Sequence, residues 1–458
     1  MTPRLASGLS PVRATLDNGA AVIVQETSST PAVAINATFL AGSLYEPDEL
    51  AGLAWLTARV LDRGTISRPA GVIAEALDDR GVSLRITSTR HAMAVKCTCL
   101  TEDFDEILAL VMDIAQHPTF PDEELAKRRA EVITALGQDA DNPAVRAGER
   151  LSEMLYGAAH PYGRGAKGTA KTVERITRAD LAAFHAARFT PLALSLVVVG
   201  DVEPGRAIAA AGRELDGWTG GDPGAIVVPP PAPAAARRVF SIEMPGKSQS
   251  DIAYGFTTIS RLDPRYYAYW MMNNVLGQFG LGGRLADNIR ERQGMAYYAY
   301  STFDATVGDS PLTVRAGVDP DNVERAISAI DAEVRQLGAE GPTSVEVSET
   351  RQFLVGSIPR MLETNGSIAS FLQTCERFGL GLDHDRRLPG LIDAVTLDDI
   401  RAAAADVLDP DRAAVAVAGP DRAAVAVAGP DRAAVAVAGP DRPTVAVAEP
   451  DPAAGNRP

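Results

Sequence analysis

The chain repeats itself at long range, and this constrains its fold more than any other feature. Ile176-Thr177-x-x-Asp180-Leu181 recurs as Val395-Thr396-x-x-Asp399-Ile400. At the same offset of 219 residues Pro191 falls on Pro410, Val198 on Val417 and Gly200 on Gly419, with no gap. A Thr at a helix N-cap, an apolar helix, a Pro turn and a buried strand ending in Gly thus recur in register. Length alone, at 458 residues, suggests about three domains. The repeat predicts two halves of about 220 residues with one fold, plus a remainder.

The remainder falls in two places. Thr219 to Arg238 reads TGGDPGAIVVPPPAPAAARR. Proline runs lack amide donors and favour extended geometry, so this stretch is a semi-rigid linker. At the end, DRAAVAVAGP occurs three times, from Asp411, Asp421 and Asp431, and a degenerate copy, DRPTVAVAEP, starts at Asp441. By the duplication, the first copy is the last strand of the second half. The others carry nothing larger than valine to bury, too little to offset chain entropy, and are expected to be disordered. A β-solenoid built from them is disfavoured for the same reason. The expected organisation is 1–218, linker 219–238, 239–420 and repeat tail 421–458.

Local patterning predicts mixed structure. Asp17-Asn18-Gly19 separates two short strands, an Asn-Gly hairpin signal. A strand follows over Ala32–Leu40. A helix is expected from about Pro47, with Leu50, Leu53, Ala54, Thr57, Val60 and Leu61 on one face. Another runs over Pro69–Asp79. Strands Val82–Thr89 and Ala92–Leu100 precede helices over Glu102–Gln116, Pro121–Gln138 and Pro143–Tyr156. A short helix begins near Arg178, and Leu194–Val199 reads as a buried strand. The class is α+β: two homologous halves, each with helices packed on a largely antiparallel sheet. The chain has three cysteines. Cys97 and Cys99 alternate with Met93 and Val95, so both are expected to face a core rather than a metal.

A net charge of -15 argues against nucleic acid and against a polybasic membrane anchor. No apolar h-region opens the chain and no run of 18 apolar residues occurs, so a cytoplasmic protein is expected.

The segment AGSLYEPDELAGLAWLTARVLDRGT, Ala41 to Thr65, resembles the pitrilysin/insulinase (M16) family of zinc peptidases. The resemblance implies a LuxS/mitochondrial-processing-peptidase-like metallohydrolase fold. In that family this stretch carries His-x-x-Glu-His. Two His at i and i+4 share a helix face and grip Zn²⁺, and the Glu serves as general base. Here Trp55 stands at the first His, Ala58 at the Glu and Arg59 at the second His. Trp does not ligate zinc, Ala is no base, and Arg is a permanent cation. The family's third ligand, a Glu, falls near Thr134-Ala135, with Glu131 one turn earlier. His91, His117, His160, His185 and His384 show no ligand-like spacing. No cofactor is expected in this chain.

The second half keeps more. Asp263-Pro264-x-Tyr266-Tyr267, Gly283-Arg284-Leu285 and Ile289-Arg290-Glu291-Arg292-Gln293-Gly294-Met295-Ala296-Tyr297 resemble the family's C-terminal domain. There an Arg and a Tyr seven residues apart contact bound peptide, and Arg290 and Tyr297 match that pattern. Gly277-x-x-Gly280-x-Gly282-Gly283 is similar to, but shorter than, the glycine-rich loop of the processing-peptidase relatives; a plain turn fits it equally well. The resemblance implies a non-catalytic, substrate-binding subunit that places Arg290 and Tyr297 against a peptide cut by a partner chain. That partner would carry His-x-x-Glu-His and its zinc. The alternative is a structural pseudo-peptidase without turnover, like the core subunits of respiratory complexes. A single-chain peptidase with a displaced metal site is the least favoured.

Overall fold

The computed structural model describes residues 8–224, 226–278 and 282–420. The decapeptides beyond Pro420 and the centre of the glycine-rich loop lie outside the described residues.

The first half runs β1 (Val12–Thr15), β2 (Ala21–Glu26), β3 (Ala32–Phe39), α1 (Leu53–Val60), α2 (Ala70–Asp78), β4 (Arg85–Ser88), β5 (Met93–Leu100), α3 (Phe104–Gln116), α4 (Asp122–Ala140), α5 (Pro143–Tyr156), α6 (Ala170–Arg175), α7 (Arg178–Arg188), β6 (Leu194–Gly200) and α8 (Pro204–Glu214). The second runs β7 (Arg238–Glu243), β8 (Ser250–Thr257), α9 (Tyr266–Asn273), β9 (Ala296–Phe303), β10 (Pro311–Val318), α10 (Val323–Glu340), α11 (Ser344–Met361), α12 (Asn365–Arg377), α13 (His384–Asp393), α14 (Leu397–Val407) and β11 (Ala414–Gly419). Two π-helical segments, Asn274–Gln278 and Ala286–Arg292, follow α9. No described helix is long and apolar enough to cross a membrane.

Each half is a sheet with helices. The six-stranded sheet has the order β1-β2-β6-β3-β5-β4 and the five-stranded sheet β7-β11-β8-β10-β9. Without β1 the two orders correspond strand for strand. Each contains one parallel pair, β2 with β6 and β7 with β11, and is otherwise antiparallel. The repeated Thr-x-x-Asp motifs cap α7 and α14 identically. Thr177 and Thr396 accept from the backbone N–H of Asp180 and Asp399, and each Asp reaches back to its Thr.

Alternation sorts the sheet faces. Val33, Ile35, Ala37 and Phe39 of β3 and Met93, Val95, Cys97 and Cys99 of β5 enter the first half's core. Burial pushes both thiols up to about 12, so they pack as apolar groups. The opposite faces are closed by the other half. Helix α12 lies on β3 and β6, with Ile368, Ala369 and Leu372 against Ile23, Val197 and Val199. Helix α5 lies on β8 and β11, with Ala147, Leu151 and Leu155 against Ala253, Ala414, Ala416 and Ala418. This explains the composition of the first decapeptide. Its alanines let α5 approach, while Val415 and Val417 point into the second core.

The helix expected from Pro47 begins at Leu53. Gly52 has φ 98°, which interrupts the helical run after a short turn at Asp48–Leu50. Buried Glu46 accepts from the N–H groups of Gly52 (2.9 Å) and Ala54 (2.8 Å), satisfying donors that a helix start leaves open. The linker carries no helix or strand among its described residues before Arg238, where β7 begins, and is tied down: Arg188 donates to Pro223 O (2.5 Å), and His160 Nε2 lies 2.9 Å from Pro229 O.

Candidate functional site

Helix α1 packs against α4, the pair of elements that would hold a metal in the resembled family. Trp55 is half-buried against the first core, Ala58 is buried and Arg59 is exposed. Two cations flank the indole: Arg59 Cζ at 5.7 Å and Lys167 Nζ at 5.5 Å from the ring centroid. Lys167 is held there by Asp139 of α4 at 2.5 Å. Glu131 is engaged by Arg128 at 2.7 Å. Among the described residues no group of three or more His, Cys, Asp or Glu is placed to hold a metal ion. An aromatic ring beside two cations does not fit zinc.

The histidines have other employment. His185 Nε2 lies 2.8 Å from Ala115 O, His117 lies beside Asp113, and His384 stacks on Phe371. His91 and His160 belong to the joint between the halves. The Tyr162 hydroxyl lies 3.1 Å from His91 Nε2 and 3.0 Å from Thr306 Oγ1, and it accepts from Gly308 N–H at 3.1 Å. Burial, with Arg377 and Arg90 nearby, pushes His91 down to about 3, so it is neutral at pH 7. The His-Pro-Tyr-Gly stretch is therefore a joint element that reaches into the second half. Spacing alone gave no signal of its partner.

Arg290 lies in the π-helical segment Ala286–Arg292, a geometry concentrated at functional sites. Its side chain is 40% exposed, and among the described residues it pairs with neighbouring Glu291 at 3.3 Å. Tyr297 follows at the start of β9, an edge strand. The β9/β10 ladder pairs Gly317 with Tyr298 but Val318 with Ala296. Tyr297 is thus the extra residue of a β-bulge, a device that re-aims side chains. It is 86% exposed. Its neighbour Tyr298 is instead bound to Asp251. Arg284, just before the segment, is anchored on Glu346 at 2.7 Å. The local fold fixes the frame around Arg290 and Tyr297 and leaves both side chains available.

The insulinase (peptidase family M16) model matches residues 21–164, and the peptidase M16 inactive-domain model matches residues 175–354. The chain belongs to peptidase family M16. It is 26% identical over 405 residues to an uncharacterized zinc protease of Mycobacterium leprae, covering 86% of this chain and 89% of that one. It is 24% identical over 359 residues to the uncharacterized zinc protease YmxG of Bacillus subtilis, covering 78% and 85%. Among solved structures, a peptidase M16 inactive domain from Pseudomonas fluorescens superposes with TM-score 0.84 at 26% identity, covering 90% of this chain and 98% of that one. A protease from Helicobacter pylori shares the fold, with TM-score 0.83 at 17% identity, covering 90% and 100%. The two-sheet architecture is the M16 fold.

Proposed function

We propose that this chain is the non-catalytic, peptide-holding subunit of a two-chain M16 peptidase. The observation that carries the reading is the face of α1, where Trp55, Ala58 and Arg59 leave neither ligand nor base. The exposed Arg290 and Tyr297 support it from the other half. The Arg290 guanidinium donates two hydrogen bonds to peptide carbonyls and fixes the substrate's register. The Tyr297 hydroxyl donates to the oxygen that gains charge as the scissile carbonyl is attacked. A partner chain with His-x-x-Glu-His would hold the zinc and supply the general base.

The test is to purify the chain alone and together with an intact M16 chain encoded beside it, and to assay peptide cleavage. The chain alone is expected to be inactive and the pair active. Tyr297→Phe in the pair is expected to lower kcat on the order of a hundredfold, the effect of losing one oxyanion donor. Chelator-sensitive cleavage by the chain alone would sink the reading. A pair that binds but shows no turnover would favour a structural pseudo-peptidase instead.

A further inference from the structure

Three donors stand in one row on the face of the first sheet turned toward the second half. Asn36 of β3 is in register with Lys96 of β5, and Lys96 with Arg85 of β4. Asn36 is also in register with Val197, which packs under α12 of the second half. Residues in register across a ladder share a face, so the whole row lies on the α12 side. Helix α12 covers β3 and β6, and the row runs outward from its margin.

None of the three donors is matched. Asn36 is 2% exposed, its Oδ1 accepts from Thr38, and its Nδ2 has no partner. The side chains of Lys96 and Arg85 make no ion pair or hydrogen bond with any described residue. Lys96 is half-buried, and burial alone pulls its pKa down, with no carboxylate opposing the shift. Arg85 is exposed on the edge strand and solvated, but the other features are unfavourable. Like charges directly opposite in a ladder repel. A half-buried ammonium without a counter-ion and a buried amide without an acceptor both lose solvation. The chain carries 59 Asp and Glu against 44 Lys and Arg, so acidic side chains are plentiful, yet none among the described residues pairs with this row.

One ligand chemistry suits the two accessible donors. A carboxylate offers acceptors to the Lys96 ammonium and the Arg85 guanidinium together. We propose that Lys96 and Arg85, beside the buried Asn36 amide, form a carboxylate-binding site that selects acidic peptides. The inference rests on the reading of this chain as a peptide-holding subunit, and names the substrate class that such a subunit prefers.

The experiment uses the full chain and fluorescent ten-residue peptides of one neutral sequence, amidated at the C-terminus, with a central Glu-Glu, Gln-Gln or Lys-Lys. A fourth peptide, Gln-Gln with a free C-terminus, separates a side-chain carboxylate from a terminal one. Kd is read by anisotropy at low and high salt. A carboxylate-bearing peptide is expected to bind at least about tenfold tighter than the amidated Gln-Gln peptide, with the margin shrinking in salt. Lys96→Glu is expected to abolish that margin and favour Lys-Lys. Lys96→Gln should erase the preference and raise Tm, because the repulsion from Arg85 goes with it; this second readout needs no ligand. Equal binding of all four peptides overturns the inference and leaves the peptide-holding reading standing, as does a preference that survives Lys96→Glu. No binding of any peptide, alone or with the partner, overturns both.

Discussion

Glu46 shows how a single side chain can set both a helix start and a pH response. It is 7% exposed, and burial pushes its carboxyl up to about 7 against the pull of the two N–H groups it caps. The folded protein therefore holds a proton that the unfolded chain releases between about pH 4.5 and pH 7. The stability tied to the neutral form is complete below the lower value and is lost as pH rises through the upper one. Glu46→Gln removes this dependence. Urea unfolding at pH 4 and pH 8 should show the variant gaining on the wild type by on the order of 3 kcal/mol across that range. An unchanged difference between the two pH values would refute the assignment. Trp55, Ala58 and Arg59 were legible in the sequence because a metal motif depends on residue type at fixed spacing. Glu46 was not, since nothing in its spacing shows that its carboxylate turns back onto Gly52. Nor was the donor row, because Lys96 reads simply as the polar position between Val95 and Cys97 until the strand partners are known.

At the level of elements, strand β11 is set by small residues. A methyl on Gly419 would lie 2.2 Å from Ser250 Oγ and 3.0 Å from Ser250 Cα. Gly419→Ala is expected to destabilise by about 1–3 kcal/mol through overpacking, visible as a fall in Tm. Adding Ser250→Gly should recover part of the loss; if it recovers none, the collision is not the cause. The alternation Ala-Val-Ala-Val-Ala announced a strand, and the 219-residue offset announced its place. The capped helices α7 and α14 were legible too, since Thr-x-x-Asp is a local motif with a local mechanism. The π-helical segment under Arg290 and the bulge at Tyr297 were not. Both depend on the ladder to β10 and on packing, which no local pattern encodes.

For the molecule as a whole, the duplication could be read from the sequence, but the crossing of α5 and α12 could not. An amphipathic helix declares that it has an apolar face, not which sheet will receive it. Because each half closes the other's sheet, neither half has a complete set of layers by itself. Cutting the linker between Pro231 and Ala232 turns one chain into two fragments that are expected to be soluble together and to aggregate apart. The joined pair should show an unfolding midpoint that rises with protein concentration, unlike the uncut chain, whose midpoint should not. A concentration-independent midpoint for the cut protein would mean that the crossed helices contribute little. Seen this way, the proline stretch acts as a tether that fixes the local concentration of two interdependent subunits. Any opening wide enough to admit a peptide must first loosen the grip that each half has on the other.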